Sequence, residues 1–219
     1  MKDLIGMSVY LAAVKDTFFI VFISSLLSYV FGIPLGILLY VNQKNGLSEN
    51  SLIYNILSTI VNLLRSIPFL ILLILILPIT RILVGTTIGA KAVIPPLVFS
   101  ATPYIARMVE SSLKEVDLGV IEAAKSMGAS NFQIITKVLL VESKPSLFVG
   151  AAISITTILG YSAMAGVVGG GGLGDLAIRY GYYRYNVIIM YITVVILVIL
   201  VQIIQEIFMG LSRKIDKRL

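Results

Sequence analysis

The sequence contains neither cysteine nor histidine. Disulfides, thiol nucleophiles, histidine-ligated metals and histidine general bases are therefore excluded together, and no metal or cofactor is expected. With no cysteine, the chain carries no information on redox compartment. Charge is also scarce. Asp, Glu, Lys and Arg make up 13% of the 219 residues, against 58% hydrophobic, and the mean hydropathy is +1.01. Soluble domains carry about 25% charged and about 45–50% apolar residues, so the bilayer is the expected solvent. At about 20–25 residues per span, five or six helices are the ceiling once loops are subtracted. One integral membrane domain over residues 1–219 is expected. The net charge of +6 calls for no nucleic acid, because Lys and Arg accumulate on the cytoplasmic flanks of membrane helices.

A cleavable signal peptide is not expected, since Lys15 and Asp16 precede an apolar run far longer than the signal core of about 7–15 residues. Residues 4–14 read as a short interfacial helix, with Leu4, Met7, Leu11 and Val14 on one face. Five spans follow: 17–41, a segment within 51–83, 88–108, 146–168 and 185–209. Arg65 complicates the second. Either a helix starts near Leu52 and contains Arg65, or residues 52–64 lie at the interface and the span is 66–84. A charge in the bilayer pairs inside the bundle or snorkels, which places Arg65 near a polar edge. Pro95-Pro96 and Pro103 are expected to break up the third span.

An odd number of spans puts the termini on opposite sides. Lys44, Arg107, Lys114, Lys125, Lys137, Lys144, Arg213, Lys214, Lys217 and Arg218 fall on one side. Lys2, Lys15, Arg81, Lys91, Arg179 and Arg184 fall on the other. The bias places the C-terminus in the cytoplasm and the N-terminus outside.

Several motifs dissolve on inspection. Gly169, Gly171 and Gly174 satisfy G-x-G-x-x-G, but the dinucleotide cradle needs a preceding strand, and this run ends a membrane span. A mobile, tightly turning outer loop is the expectation. Gly172-Leu173-Gly174-Asp175 mimics the motif of intramembrane aspartyl proteases, which need a second carboxylate. The other aspartates, Asp3, Asp16, Asp117 and Asp216, all lie in flanks. A proton-coupled carrier would want intramembrane carboxylates, and Glu206 near the end of the last span is the one acid inside the expected spans. The G-x-x-x-G pairs Gly32/Gly36 and Gly166/Gly170 indicate close helix packing, with a hinge as the other reading. Tyr180, Tyr182, Tyr183 and Tyr185, with Arg179 and Arg184, form an interfacial aromatic belt or a docking patch for an external partner.

Residues 117–142 stand apart from the rest. Asp117 is placed to N-cap one helix and Gly128 to end it in the left-handed region. Ser130 and Gln133 form a capping-box pattern for a second helix. As a DNA-binding helix-turn-helix it fails, because the acids and bases between Arg107 and Lys144 balance. An exposed helical hairpin on a membrane protein is a handle for a soluble partner.

Glu122-Ala123-Ala124, three residues and Gly128 resemble the EAA-x3-G loop of inner-membrane permease subunits of ABC importers. Val138 and Leu140 continue the family pattern, with Val141 in place of its proline. The strings RSIPFLILLILILPITRILVGTTIGA and ISITTILGYSAMAGVVGGGGLGDLAIRYGY resemble the methionine-importer permeases. The resemblance implies an all-α membrane fold of five transmembrane helices, with a cytoplasmic coupling loop at about 110–145. It also implies a permease homodimer, two copies of a cytoplasmic ATPase and an external methionine-binding lipoprotein. Glu122, Ala123, Ala124 and Gly128 are then the ATPase-coupling residues. The chain has no G-x-x-x-x-G-K-[ST], so it is expected to be a non-catalytic subunit that takes its energy from the ATPase. Small residues flank a flexible thioether at the end of the fourth span, making Tyr161, Ser162 and Met164 candidates for a gate on the translocation path. The alternatives are a permease for another amino acid or small peptide, and a membrane scaffold that uses the hairpin for assembly.

Overall fold

The computed structural model describes residues 6–215; Lys2, Asp3, Leu4, Asp216, Lys217 and Arg218, used in the expectations above, lie outside them. Helix α1 (Met7–Asn42) is continuous, so among the described residues the expected interfacial helix is the start of the first span. No glycine or proline occurs between Met7 and Phe31, and Lys15 and Asp16 are no obstacle to a helix. Asn50 starts α2 (Ser51–Ser66), its side-chain oxygen accepting from Ile53 N at 3.1 Å. Pro68 disfavours helical backbone at Ile67, and the chain bends by 107° before α3 (Phe69–Val84). Arg65 therefore lies inside α2, as the first of the two readings had it, and the span expected there is broken in two.

Helix α4 (Ala90–Lys114) runs unbroken through Pro95, Pro96 and Pro103, against expectation. Each proline removes one backbone donor, and the rest of a helix this long keeps its ladder. The hairpin comprises α5 (Leu118–Ser126) and α6 (131–142), the latter containing a π-helical stretch, Ile134–Leu139. Helix α7 (Lys144–Met164) tightens into a 3₁₀ turn, Ala165–Val168. A short α8 (Gly172–Leu176) and a π-helical turn, Ala177–Tyr182, lead to α9 (Val187–Ile215). Helices α1, α4, α7 with its 3₁₀ turn, and α9 are each long and apolar enough to cross a membrane; α2 and α3 are so only as a bent pair. Five spans result if the pair is one crossing.

Two compact units divide the chain. The first comprises the chain up to Ser28, Ile67–Ala101 and Ile155–Gln205. Tyr10 and Ala13 of α1 pack there with Leu173, Leu176 and Ile189. The glycine-rich run is not an open loop. Gly172, Leu173 and Gly174 are buried, Thr17 Oγ1 accepts from Leu173 N at 2.8 Å, and Gly89 N donates to Gly169 O at 2.9 Å. Gly166 and Gly174 lie backbone to backbone, leaving no room for a Cβ on either.

The second unit comprises Tyr29–Ser66, Thr102–Ser154 and the chain from Glu206. Gly32 and Gly36 lie against Ile105, Ala106 and Val109 of α4 so closely that a Cβ on Gly36 would come within 2.6 Å of Ala106 O. The packing reading of this pair holds. Leu39, Val61 and Ala106 form a small core beside them.

Candidate functional site

The hairpin forms as its residues dictate. Asp117 accepts from Gly119 N at 2.7 Å and caps α5. Gly128 adopts φ 79°, its N–H donates to Lys125 O at 2.9 Å, and Ala129 N donates to Ala124 O at 3.1 Å. These two bonds are a Schellman closure, which satisfies carbonyls that a helix end leaves unpaired. Ser130 N donates to Gln133 Oε1 at 2.9 Å while Gln133 N donates to Ser130 Oγ at 3.3 Å, completing the capping box. Every backbone group at the turn thus has a local reason for its direction, so the hairpin holds its aim without a large core.

Ile121, Ala124, Ile134 and Leu139 are buried on the inner face. The outer face exposes Glu122 and Ala123. Beside them lie Leu118, Met127 and Phe132, the last two 81% and 74% exposed. Of the four residues expected to couple, Glu122, Ala123 and Gly128 lie on the surface and Ala124 packs inward. Ala124 therefore allows the helix to approach its own unit. Three large exposed apolar side chains, with Glu122 and Lys125 on the same hairpin, form a surface that a soluble partner can bury, since apolar contact supplies the energy and the charges set register. Asn131 Nδ2 donates to Ser48 Oγ at 2.9 Å, which ties the hairpin to the loop between α1 and α2.

Sequence reasoning missed the ionic cluster beside α2. Glu110, with 3% of its side chain exposed, accepts from Arg107 at 2.6 Å and Lys114 at 2.7 Å. Arg107 also reaches Ser58 Oγ and Asn62 Oδ1 of α2, the latter at 3.0 Å, and Tyr54 donates to Glu110 at 3.3 Å. The spacing i−3, i, i+4 around Glu110 was the available signal. Two cations around one carboxylate leave the cluster positive; Glu110 is its buried centre, Lys114 opens to solvent, and the hydroxyl and amide of α2 accept from Arg107. The cluster fixes α2 against α4.

The expected gate residues separate. Tyr161 stacks on Phe69, centroids 4.6 Å apart and planes within 3°. Ser162 is buried and its Oγ donates to Leu159 O at 2.7 Å. Met164, at 48% exposure, stands on the surface of α7. Tyr161 and Ser162 hold the helix that presents it. Among the described residues no group of three or more Asp or Glu converges to hold a metal.

Residues 32–217 match the family described as binding-protein-dependent transport system inner membrane component. The chain belongs to that family. It is 50% identical over 208 residues to a Vibrio cholerae protein named probable D-methionine transport system permease protein MetI, covering 95% of this chain and 92% of that protein. The methionine import system permease protein MetP of Bacillus subtilis is 46% identical over 181 residues, 83% of this chain and 82% of its own. Among solved structures, an inward-facing MetNI methionine ABC transporter contains a chain 45% identical to this one. Its TM-score is 0.95, with 96% of this chain and 98% of that one covered. An amino acid ABC transporter solved with histidines shares the fold at TM-score 0.77 and 19% identity, over 94% of both chains. The all-helical fold is therefore that of an inner-membrane ABC importer permease.

Proposed function

We propose that the chain is the permease subunit of a methionine importer. The observation that carries the substrate is the 45% identity, at TM-score 0.95, to a chain of a methionine transporter. In this reading residues 1–219 act as a single transmembrane domain. Two copies enclose the path on their shared axis, because five spans are too few to enclose one alone. Two cytoplasmic ATPases receive the hairpin by helix-in-groove docking, and an external methionine-binding lipoprotein delivers the substrate. Nucleotide-driven closure of the ATPases rocks the two bundles between outward and inward access. Glu122 and Ala123 contact the ATPase, Gly128 sets the angle, and Ala124 seats the helix from within. Uptake of labelled methionine by cells with and without this gene, competed by other amino acids in both stereochemical forms, tests the assignment. Loss of uptake that unlabelled methionine alone suppresses is expected; uptake unchanged by the deletion would refute it.

The hairpin side is assigned to the cytoplasm. Asn131 joins the loop that carries Lys44, and Ser212 Oγ donates to Pro145 O at 2.9 Å beside Lys144 and Arg213. These contacts support gathering the basic residues on one side, as the charge bias requires. A reporter fused after Leu219 is expected to be active only in the cytoplasm, and one before Met1 only outside. Both ends on one side would mean that α2 and α3 do not make one crossing.

Met164 is the gate in this reading. A flexible thioether fills an irregular gap and yields it again at little cost. Cysteine at position 164, in a chain with no other, is expected to cross-link between protomers in one nucleotide state and not the other. Cross-linking independent of nucleotide would remove Met164 from the gate.

A further inference from the structure

Helix α2 shows three faces. Tyr54, Leu57 and Val61 point into its own unit, while Leu52, Ile56, Ile60 and Leu63 form an exposed apolar stripe. The third face is exposed and polar: Asn55, Thr59, Asn62 and Ser66, spaced i, i+4, i+7 and i+11. That spacing is a single helical stripe, about 16 Å long at 1.5 Å per residue. Asn55 and Thr59 have no side-chain hydrogen-bond partner among the described residues. Arg65, exposed at the same end as Ser66, has no ion-pair partner among them either. Amides and hydroxyls facing hydrocarbon without partners are costly, and an unpaired guanidinium more so. A polar face of this kind is stable against water, and the apolar stripe against lipid or another apolar surface.

The direction follows from the ionic cluster. Tyr54 meets Glu110, and Ser58 and Asn62 meet Arg107, so α2 runs antiparallel to the last turns of α4. It starts beside the loop held by Asn131 and leads away from the hairpin side. We propose that Asn55, Thr59, Asn62 and Ser66, with Arg65 at the far end, line the water-filled half of the translocation path that opens toward the hairpin. This rests on the importer reading. Amide and hydroxyl side chains solvate the ammonium and carboxylate of an amino acid without holding it; Asn62 is oriented by Arg107, its Oδ1 accepting at 3.0 Å, and Arg65 offers the carboxylate an exposed cation where the exit begins.

Because the chain lacks cysteine, Thr59→Cys, Ser66→Cys, Ile56→Cys and Ile60→Cys each introduce its one thiol. In the assembled transporter, a charged methanethiosulfonate applied from the hairpin side is expected to modify positions 59 and 66 at least about tenfold faster than 56 and 60. Trapping the ATPase with ATP and vanadate is expected to slow the reaction at 59 and 66 alone. Equal rates at all four positions, rates at 59 and 66 indifferent to nucleotide, or disulfides between copies at 59 in place of labelling would each overturn the assignment. Methionine uptake by the same variants separates the two readings. Import with an unreactive stripe defeats only this proposal, whereas no import by the unaltered chain defeats the importer reading itself.

Discussion

Replacing Gly128 by Val, or Glu122 by Lys, is expected to leave the chain inserted and dimeric while ATPase association and methionine uptake are lost together. Gly128 sits at φ 79°, with nothing within 4 Å of the place a Cβ would occupy. A side chain there meets no neighbour, and its penalty is conformational, about 1–2 kcal/mol. That is too small to unfold a bundle of this size, but the Schellman bond from Ala129 N to Ala124 O depends on this backbone. Losing it re-aims α6 against α5. A positional error of about 1 Å can weaken function by about a hundredfold. Glu122→Lys leaves the backbone alone and reverses the single acid of α5, whose other charge is the exposed Lys125, so it reports on recognition rather than on folding. Pull-down of the ATPase in mild detergent and uptake in the same cells check both. Full association and transport by either variant would show that the hairpin does not couple. Failure of both to accumulate in the membrane would make the hairpin a structural element.

Gly166→Ala and Gly174→Ala are expected to have the opposite signature, failing to accumulate at all. A Cβ on Gly166 would sit against the backbone of Gly174, and one on Gly174 against that of Ala163. Backbone, unlike a flexible side chain, cannot step aside, so the strain exceeds the roughly 1–3 kcal/mol typical of overpacked cores. Gly160→Ala is the control, because nothing lies within 4 Å of its Cβ position and the residue is exposed on the same helix. It is expected to accumulate normally, and alanine even favours the helix by about 1 kcal/mol. Membrane protein levels by immunoblot and the melting temperature of the purified protein decide it. Normal levels of Gly166→Ala would mean that the turn after α7 opens without consequence.

The hairpin was legible because its signals are local. Asp117, Gly128, Ser130 and Gln133 each act within a few residues, and all four capping interactions form where their spacing places them. The spans were legible because hydropathy sums over a long window. What escaped depends on partners distant in sequence. Pro95, Pro96 and Pro103 looked like breaks, whereas the helix around them is unbroken. Leu173 and the glycines beside it looked like an open loop because nothing local shows that Thr17, far away in sequence, accepts from Leu173 N. Glu110 drew no notice beside the EAA loop, although Arg107 and Lys114 flank it at helical spacing. Arg65, expected near a polar edge from the cost of burying a charge, is exposed in the last turn of α2, off the stripe formed by Asn55, Thr59, Asn62 and Ser66.

Coupling through the hairpin is tested most directly in proteoliposomes containing this chain assembled with its ATPase, the methionine-binding protein enclosed, and ATP and labelled methionine arranged so that import is read as flux toward the hairpin side. ATP-dependent methionine flux is expected, and Glu122→Lys is expected to abolish it while the protein remains dimeric. ATP-dependent flux that is unchanged by Glu122→Lys, or methionine movement that needs no ATPase, would contradict this coupling.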